Sequence, residues 1–144
     1  MSDKYQKPLP YISEVSRPYW DAAKRHGLVI QRCQGCGHYR YPAGDTCPRC
    51  LSDRLVWVKV SGWGTIYSWI VFHQVYHQAF ASEVPYVVVV VELEEGVRLV
   101  TNLVDCKTED IEIGMPVEVV FDDVTEEITL PKFRPRVYPA NTVR

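Results

Sequence analysis

No stretch of this 144-residue chain is apolar for long enough to cross a membrane as a helix. The longest unbroken apolar run is the eight residues from Val84 to Val91, with Pro85 inside it, against about 20 for a membrane span. The first residues, Met-Ser-Asp-Lys-Tyr-Gln-Lys, are polar and lack the apolar core of a secretory signal. A cytoplasmic chain with no membrane partner is therefore expected. No phosphate loop, dinucleotide fingerprint or catalytic triad stands out. Apolar residues are not scarce: at 47% they argue against a mainly disordered chain.

An overall basic charge is also missing, since the formal net charge is -2. Its distribution is uneven. Residues 1–54 hold nine Lys/Arg against five acids, residues 55–130 three against thirteen, and residues 131–144 four against none. A polyanion would be repelled by the middle of the chain and attracted only at its ends.

What is present divides the chain into an N-terminal arm and helix (1–30), a cysteine-bearing segment (31–54), a strand-rich segment (55–136) and a short tail (137–144). The spacing predicts a helix over Arg17–His26. Ser16 is its cap, Pro18 lies in its first turn, and Gly27 takes the left-handed position that ends it. Tyr19, Trp20 and Ala23 share a face, with Trp20 as the anchor.

Cys33-Gln34-Gly35-Cys36 and Cys47-Pro48-Arg49-Cys50 are two C-x-x-C units separated by ten residues. Each is a tight turn that aims two thiolates at one point. Four thiolates close a tetrahedron around Zn²⁺ at about 2.3 Å and leave no open position, which makes the metal structural. The pattern is a zinc ribbon, and removing zinc is expected to unfold it. Two disulfides would need an oxidising compartment. A thioredoxin-like pair would need a preceding strand in a βαβ setting. The four cysteines already complete the shell, which leaves His38 outside it.

From Leu55 onward the chain reads as strands. A long one opens at Gly62-Trp63-Gly64. Pro85 to Leu93 is nearly continuous valine and suggests burial on both faces or a barrel strand. Glu94-Glu95-Gly96 is a hairpin turn into Val97–Val104. Val117–Phe121 follows the turn at Gly114, and a last strand spans Glu127–Leu130 and ends at Pro131. The fold class is mainly β: an N-terminal helix, a rubredoxin-like ribbon, and a five-stranded OB-fold barrel.

Little in the chain suggests catalysis by its own residues. Cys106 is the only cysteine outside the two pairs, and free cysteines mostly serve as small buried hydrophobes. His73 and His77 have the spacing of helical metal ligands, but they fall in a loop with no acidic third ligand. Two surfaces draw attention. The loop Phe72–Phe80 is long and aromatic; Tyr76 and Phe80 in it either cap the barrel end or meet a ligand. The stretch Leu130–Arg136 sets Lys132, Arg134 and Arg136 beside Phe133, as solubilising charge or as a phosphate contact.

In order and spacing, several motifs together resemble one family. They are Arg17-Pro18-Tyr19-Trp20, the two cysteine pairs, Ser61–Ser68, Pro85-Tyr86-Val87, Val91–Leu99, Ile113–Val117 and Leu130–Pro135. The family, once called domain of unknown function thirty-five, comprises zinc ribbon plus OB-fold proteins associated with acyl-CoA. The resemblance covers roughly residues 10 to 136. It implies a non-catalytic accessory subunit in a hetero-oligomer. A thiolase-fold partner would hold the catalytic groups, and this chain would stabilise that partner and help shape the acyl-CoA site. With so short a tail beyond Arg136, no appended catalytic domain is expected. On this reading Cys33, Cys36, Cys47 and Cys50 bind zinc. Lys132, Phe133, Arg134, Arg136, Tyr76 and Phe80 are the candidate contacts to a CoA thioester. The alternative is a single-stranded nucleic-acid binder, since ribbons and OB-folds both do that work; the acidic barrel segment opposes it.

Overall fold

A computed structural model describes residue 5 and residues 7–136; the expected tail at 137–144 lies outside them. None of its helices is long and apolar enough to cross a membrane. The helix α1 spans Arg17–Lys24. Ser16 occupies the N-cap position without a side-chain cap bond, because its hydroxyl is held by Ser13 at 3.0 Å. At the other end His26, not Gly27, takes the left-handed conformation, with φ 60°. The N–H groups of His26 and Gly27 return to the carbonyls of Ala23 and Ala22, the paired bonds of a Schellman ending. Tyr19, Ala22 and Ala23 form the buried face. Trp20, the expected anchor, is only half-buried and meets the Tyr19 ring edge-on at 5.0 Å.

Three short strands follow: β1 (Val29–Cys33), β2 (Tyr39–Arg40) and β3 (Leu55–Lys59), in the antiparallel order β2-β1-β3. Leu55–Lys59, read from sequence with the barrel, pairs along its whole length with Val29–Cys33. The chain enters and leaves the cysteine knuckles side by side, and those two segments form the ribbon's stem.

The second sheet holds β4 (Trp63–Phe72), β5 (Tyr86–Leu93), β6 (Arg98–Asn102), β7 (Pro116–Asp123) and β8 (Thr129–Pro135), in the order β6-β5-β4-β7-β8. All its pairings are antiparallel. A parallel bridge from Leu103 to Phe133, with the Val104 N–H on the Phe133 carbonyl at 2.8 Å, brings the end strands together and nearly closes the barrel. Gly64 permits the tight β4–β5 approach, since a Cβ there would lie 2.5 Å from the Glu92 carbonyl oxygen.

The core is filled by Ile66, Val89, Val91, Leu99, Val117 and Phe133, each at most 2% exposed. Burial alternates strictly along β5, so the valine run is buried on one face, not two. The last strand runs through Pro131 and Pro135 instead of ending at the first. An end strand tolerates proline because fewer of its N–H groups are needed for a ladder.

Candidate metal centre and the cleft at the barrel seam

The two knuckles are built alike. The N–H of Gly37 bonds to the Cys33 carbonyl and that of Leu51 to the Cys47 carbonyl, both at 2.9 Å. Both fourth-after-cysteine residues are left-handed, Gly37 at φ 78° and Leu51 at φ 64°. Leu51 is 76% exposed, so this non-glycine residue sits in a strained conformation with no packing to compensate. This twofold likeness matches the equal C-x-x-C-x spacing.

The four Sγ atoms lie within 4.8 Å of one another, Cys33 and Cys47 buried, Cys36 and Cys50 exposed. Backbone N–H groups of Gly35 and Cys36 point at Cys33 Sγ (3.3 and 3.5 Å) and that of Arg49 at Cys47 Sγ (3.4 Å). The Cys36 N–H, as the main cause, draws the Cys33 thiol down to about 6, and the Cys50 N–H draws Cys47 down. Four converging sulfurs, with N–H donors favouring thiolate at Cys33 and Cys47, suit a tetrahedral zinc. The set has no open position, so the ion would fix the ribbon's shape and supply no reaction.

The six candidate CoA contacts divide. Phe80 and Lys132 line one hollow of about 180 Å³, together with Tyr5, Lys7, Tyr86 and Asn102. A second hollow of about 170 Å³ shares Asn102, Leu130 and Lys132 with the first and reaches Tyr19, Trp20 and Tyr41. Together they make a cleft along the β6/β8 seam, where the barrel is closed least. Lys7 lies 5.3 Å over the Phe80 ring and is ion-paired with Glu83, which pins the arm to the aromatic loop. Tyr76 is 72% exposed, edge-on to Phe72 at 5.9 Å.

Strand alternation decides the rest. Lys132 and Arg134 share one side of β8 by their i, i+2 spacing, Phe133 points the other way, and Arg136 follows just past the strand's end. Phe133 is 0% exposed. It is a core residue at the seam that also lines the second hollow. Lys132 bonds to Asp122 at 2.7 Å and Arg134 to Glu118 at 2.9 Å, and Arg136 lies 4.0 Å over the Trp63 ring. The expected basic tail is thus a strand whose cations are matched by acids and an aromatic ring.

The remaining chemical candidates are quiet. Burial, then Asp110, pushes the Cys106 thiol up, and the thiol donates to the Lys107 carbonyl at 3.4 Å. His77 Nδ1 accepts from the Ala79 N–H at 3.1 Å and starts a 3-10 turn, Gln78–Phe80. His73 is exposed. A cluster that sequence reasoning missed joins α1's end to the barrel. His26 Nε2 lies 3.0 Å from both Asp123 carboxylate oxygens, its ring stacks on Phe121, and Thr129 donates to Asp123. The partners are 97 residues apart, and nothing local signals the contact.

Comparison with known proteins agrees with this architecture. Residues 20–56 match the model of the ChsH2 rubredoxin-like zinc ribbon domain, and residues 57–122 that of the ChsH2 C-terminal OB-fold domain. A probable enoyl-CoA hydratase alpha subunit from Thermomonospora curvata is 48% identical over 134 residues, 93% of this chain but 41% of that protein. The chain therefore spans well under half of that relative. A DUF35 domain-containing scaffold protein from Methanocaldococcus jannaschii is 39% identical over 114 residues, 78% of this chain and 80% of that one. A solved structure described as the Ltp2-ChsH2(DUF35) aldolase contains a chain that superposes with a TM-score of 0.81 at 48% identity, covering 90% of this chain and all of that one. With both modules in the same order and a relative matched over four-fifths of its length, the chain belongs to the DUF35 family of zinc ribbon and OB-fold proteins, of the ChsH2 type.

Proposed function

We propose that the chain is a non-catalytic accessory subunit of an enzyme complex that makes or breaks carbon–carbon bonds in acyl-CoA thioesters. In this reading it docks on a thiolase-fold partner that supplies the reacting groups. One observation carries the reading: four cysteine sulfurs converge in a closed, metal-binding set. Such a set holds a shape and leaves no ligand position for substrate. The solved relative named as an aldolase of Ltp2 with ChsH2, and the M. jannaschii relative named as a scaffold protein, point the same way.

The CoA portion of the substrate would meet the seam cleft. Phe80 and Tyr86 offer ring faces, while Lys7 and Lys132 offer ammonium groups beside them. Lys132 would exchange Asp122 for a phosphate oxygen. Arg134, Arg136 and Tyr76 would lie at the approach. A single-stranded nucleic acid would need a longer basic groove than β8 supplies, given the acids paired with Lys132 and Arg134.

The test is to assemble the chain with an Ltp2-type thiolase-fold subunit and follow a CoA-thioester aldol cleavage. Turnover is expected from the complex and not from the isolated chain. Phe80→Ala and Lys132→Ala are expected to raise KM for the CoA ester several-fold with little change in kcat. Thioester turnover by the isolated chain at the rate of the complex would overturn the reading, and an unchanged KM would remove the cleft from it.

A further inference from the structure

Sheet faces that meet water alternate apolar residues inward with polar or charged residues outward. The outward face of β4, β5 and β6 breaks that rule. Across these three neighbouring strands the only charged residues are Glu92 and Arg98. They face each other in register and bond to one another at 3.2 Å, and Arg98 lies 3.7 Å over the Tyr67 ring. The rest of the face is apolar or neutral. Ile70 is paired with Val88, and Val90 lies between Ser68 and Val100. Ile70 and Val100 are 54% and 64% exposed, and Trp63 and Tyr67 are about half exposed. A register shift between Ile66 and Ser68 turns Tyr67 outward beside Ser68 and widens the apolar stripe.

We infer that this face, from Trp63 and Tyr67 across Val90 to Val100, is where the larger companion subunit docks. The inference rests on the accessory-subunit reading above and adds the surface. Charge selects the class of occupant. Glu92 and Arg98 neutralise each other, and a further cation, Arg136, lies over the Trp63 ring at the margin. A face with so little charge offers little to a nucleic acid or an anionic lipid surface, and it suits an uncharged protein surface.

Area then separates a companion from a second copy. With strands about 4.8 Å apart and residues about 3.4 Å along them, the stripe covers roughly 300 Å². Two copies stacked face to face would bury roughly twice that in total, below the about 1,000 Å² that a stable interface needs. A larger body that continues past the stripe reaches that size. Exposed Trp, Tyr and Arg at its margin are the residue types that dominate binding energy at such contacts.

The experiment uses the full chain and, as probe, the Ltp2 subunit of the solved relative's complex. Binding is measured by calorimetry for the unmodified chain and for Ile70→Lys/Val100→Lys, with melting temperature and zinc content as fold controls. Both side chains are more than half exposed, so folding should be kept, and affinity should fall at least 100-fold. Equal binding by a folded double variant overturns the docking face while leaving the accessory reading standing. Failure of the unmodified chain to bind overturns both. Hydroxyl-radical labelling of Trp63 and Tyr67 in the unmodified complex tests the same point without substitutions: protection supports the face, and unchanged labelling overturns it. A dimer of the isolated chain in sedimentation that the double variant abolishes would assign the face to a second copy and overturn the inference.

Discussion

Replacing Phe133 with alanine removes the largest fully buried side chain among the described residues. Phe133 sits where β6 and β8 meet, bridged to Leu103 and accepting the Val104 N–H on its carbonyl. The flanking strand is laddered along the whole of its neighbour, with Lys132 and Arg134 paired to Asp122 and Glu118, which limits how far it can settle into the void. Phe→Ala changes in such sites cost about 3–5 kcal/mol from lost transfer energy and the remaining cavity. The upper half of that range is expected here. By contrast, Lys132→Ala and Arg134→Ala delete exposed ion pairs worth at most about 1 kcal/mol each. Urea unfolding followed by far-UV circular dichroism should give a large loss at 133 and small ones at 132 and 134. A loss at 133 below about 1 kcal/mol, or losses at 132 and 134 equal to it, would refute the alternation that turns Phe133 inward.

Leu51→Gly relieves a left-handed leucine that packs against little; its strain of roughly 1–2 kcal/mol exceeds the entropy cost of glycine, about 0.5–1 kcal/mol, so the variant should melt at the same temperature or slightly higher. Asp123 is held below the usual carboxylate range, first by the Thr129 hydroxyl and then by His26. A depressed carboxylate contributes stability above its unfolded pKa, near about 4, and loses it as pH falls through the folded value; Asp123→Asn should therefore flatten the acid limb of a stability–pH curve while leaving the neutral-to-alkaline slope alone. Chelation of bound zinc should unfold the β1–β3 stem, read as a change in tryptophan fluorescence that Trp57→Phe diminishes, and Cys36→Ser should do so at lower chelator concentration.

Local patterns made much of this molecule legible. The cysteine spacing reports two equal turns, and the Gly62-Trp63-Gly64 and Glu94-Glu95-Gly96 signals punctuate strands at places where backbone geometry leaves little choice. Pairing between distant segments was not legible. Leu55–Lys59 has the composition of a barrel strand, and nothing local signals that it ladders with Val29–Cys33. Prolines at 131 and 135 mask β8, because the sequence does not say that this strand lies at the sheet's end. Lysine and arginine neighbours likewise disguise Phe133 as a surface aromatic. The contact of His26 with Asp123 depends on where the helix ends relative to β7, which no window of sequence reports.

The valine run of β5 is the instructive disagreement. The valine composition suggests burial on both faces or a barrel strand; the run is a barrel strand, and the chain by itself buries one face: Val87, Val89, Val91 and Leu93 point into the core, while Val88 and Val90 look outward among Ile70 and Val100. A strand that needed only one buried face would keep threonine, lysine or glutamate on the other at no cost to the core. The outward valines are therefore unexplained by the stability of the barrel. They are explained if a second body covers the face in the assembled state, in which case the expectation from sequence describes the complex better than it describes the free chain.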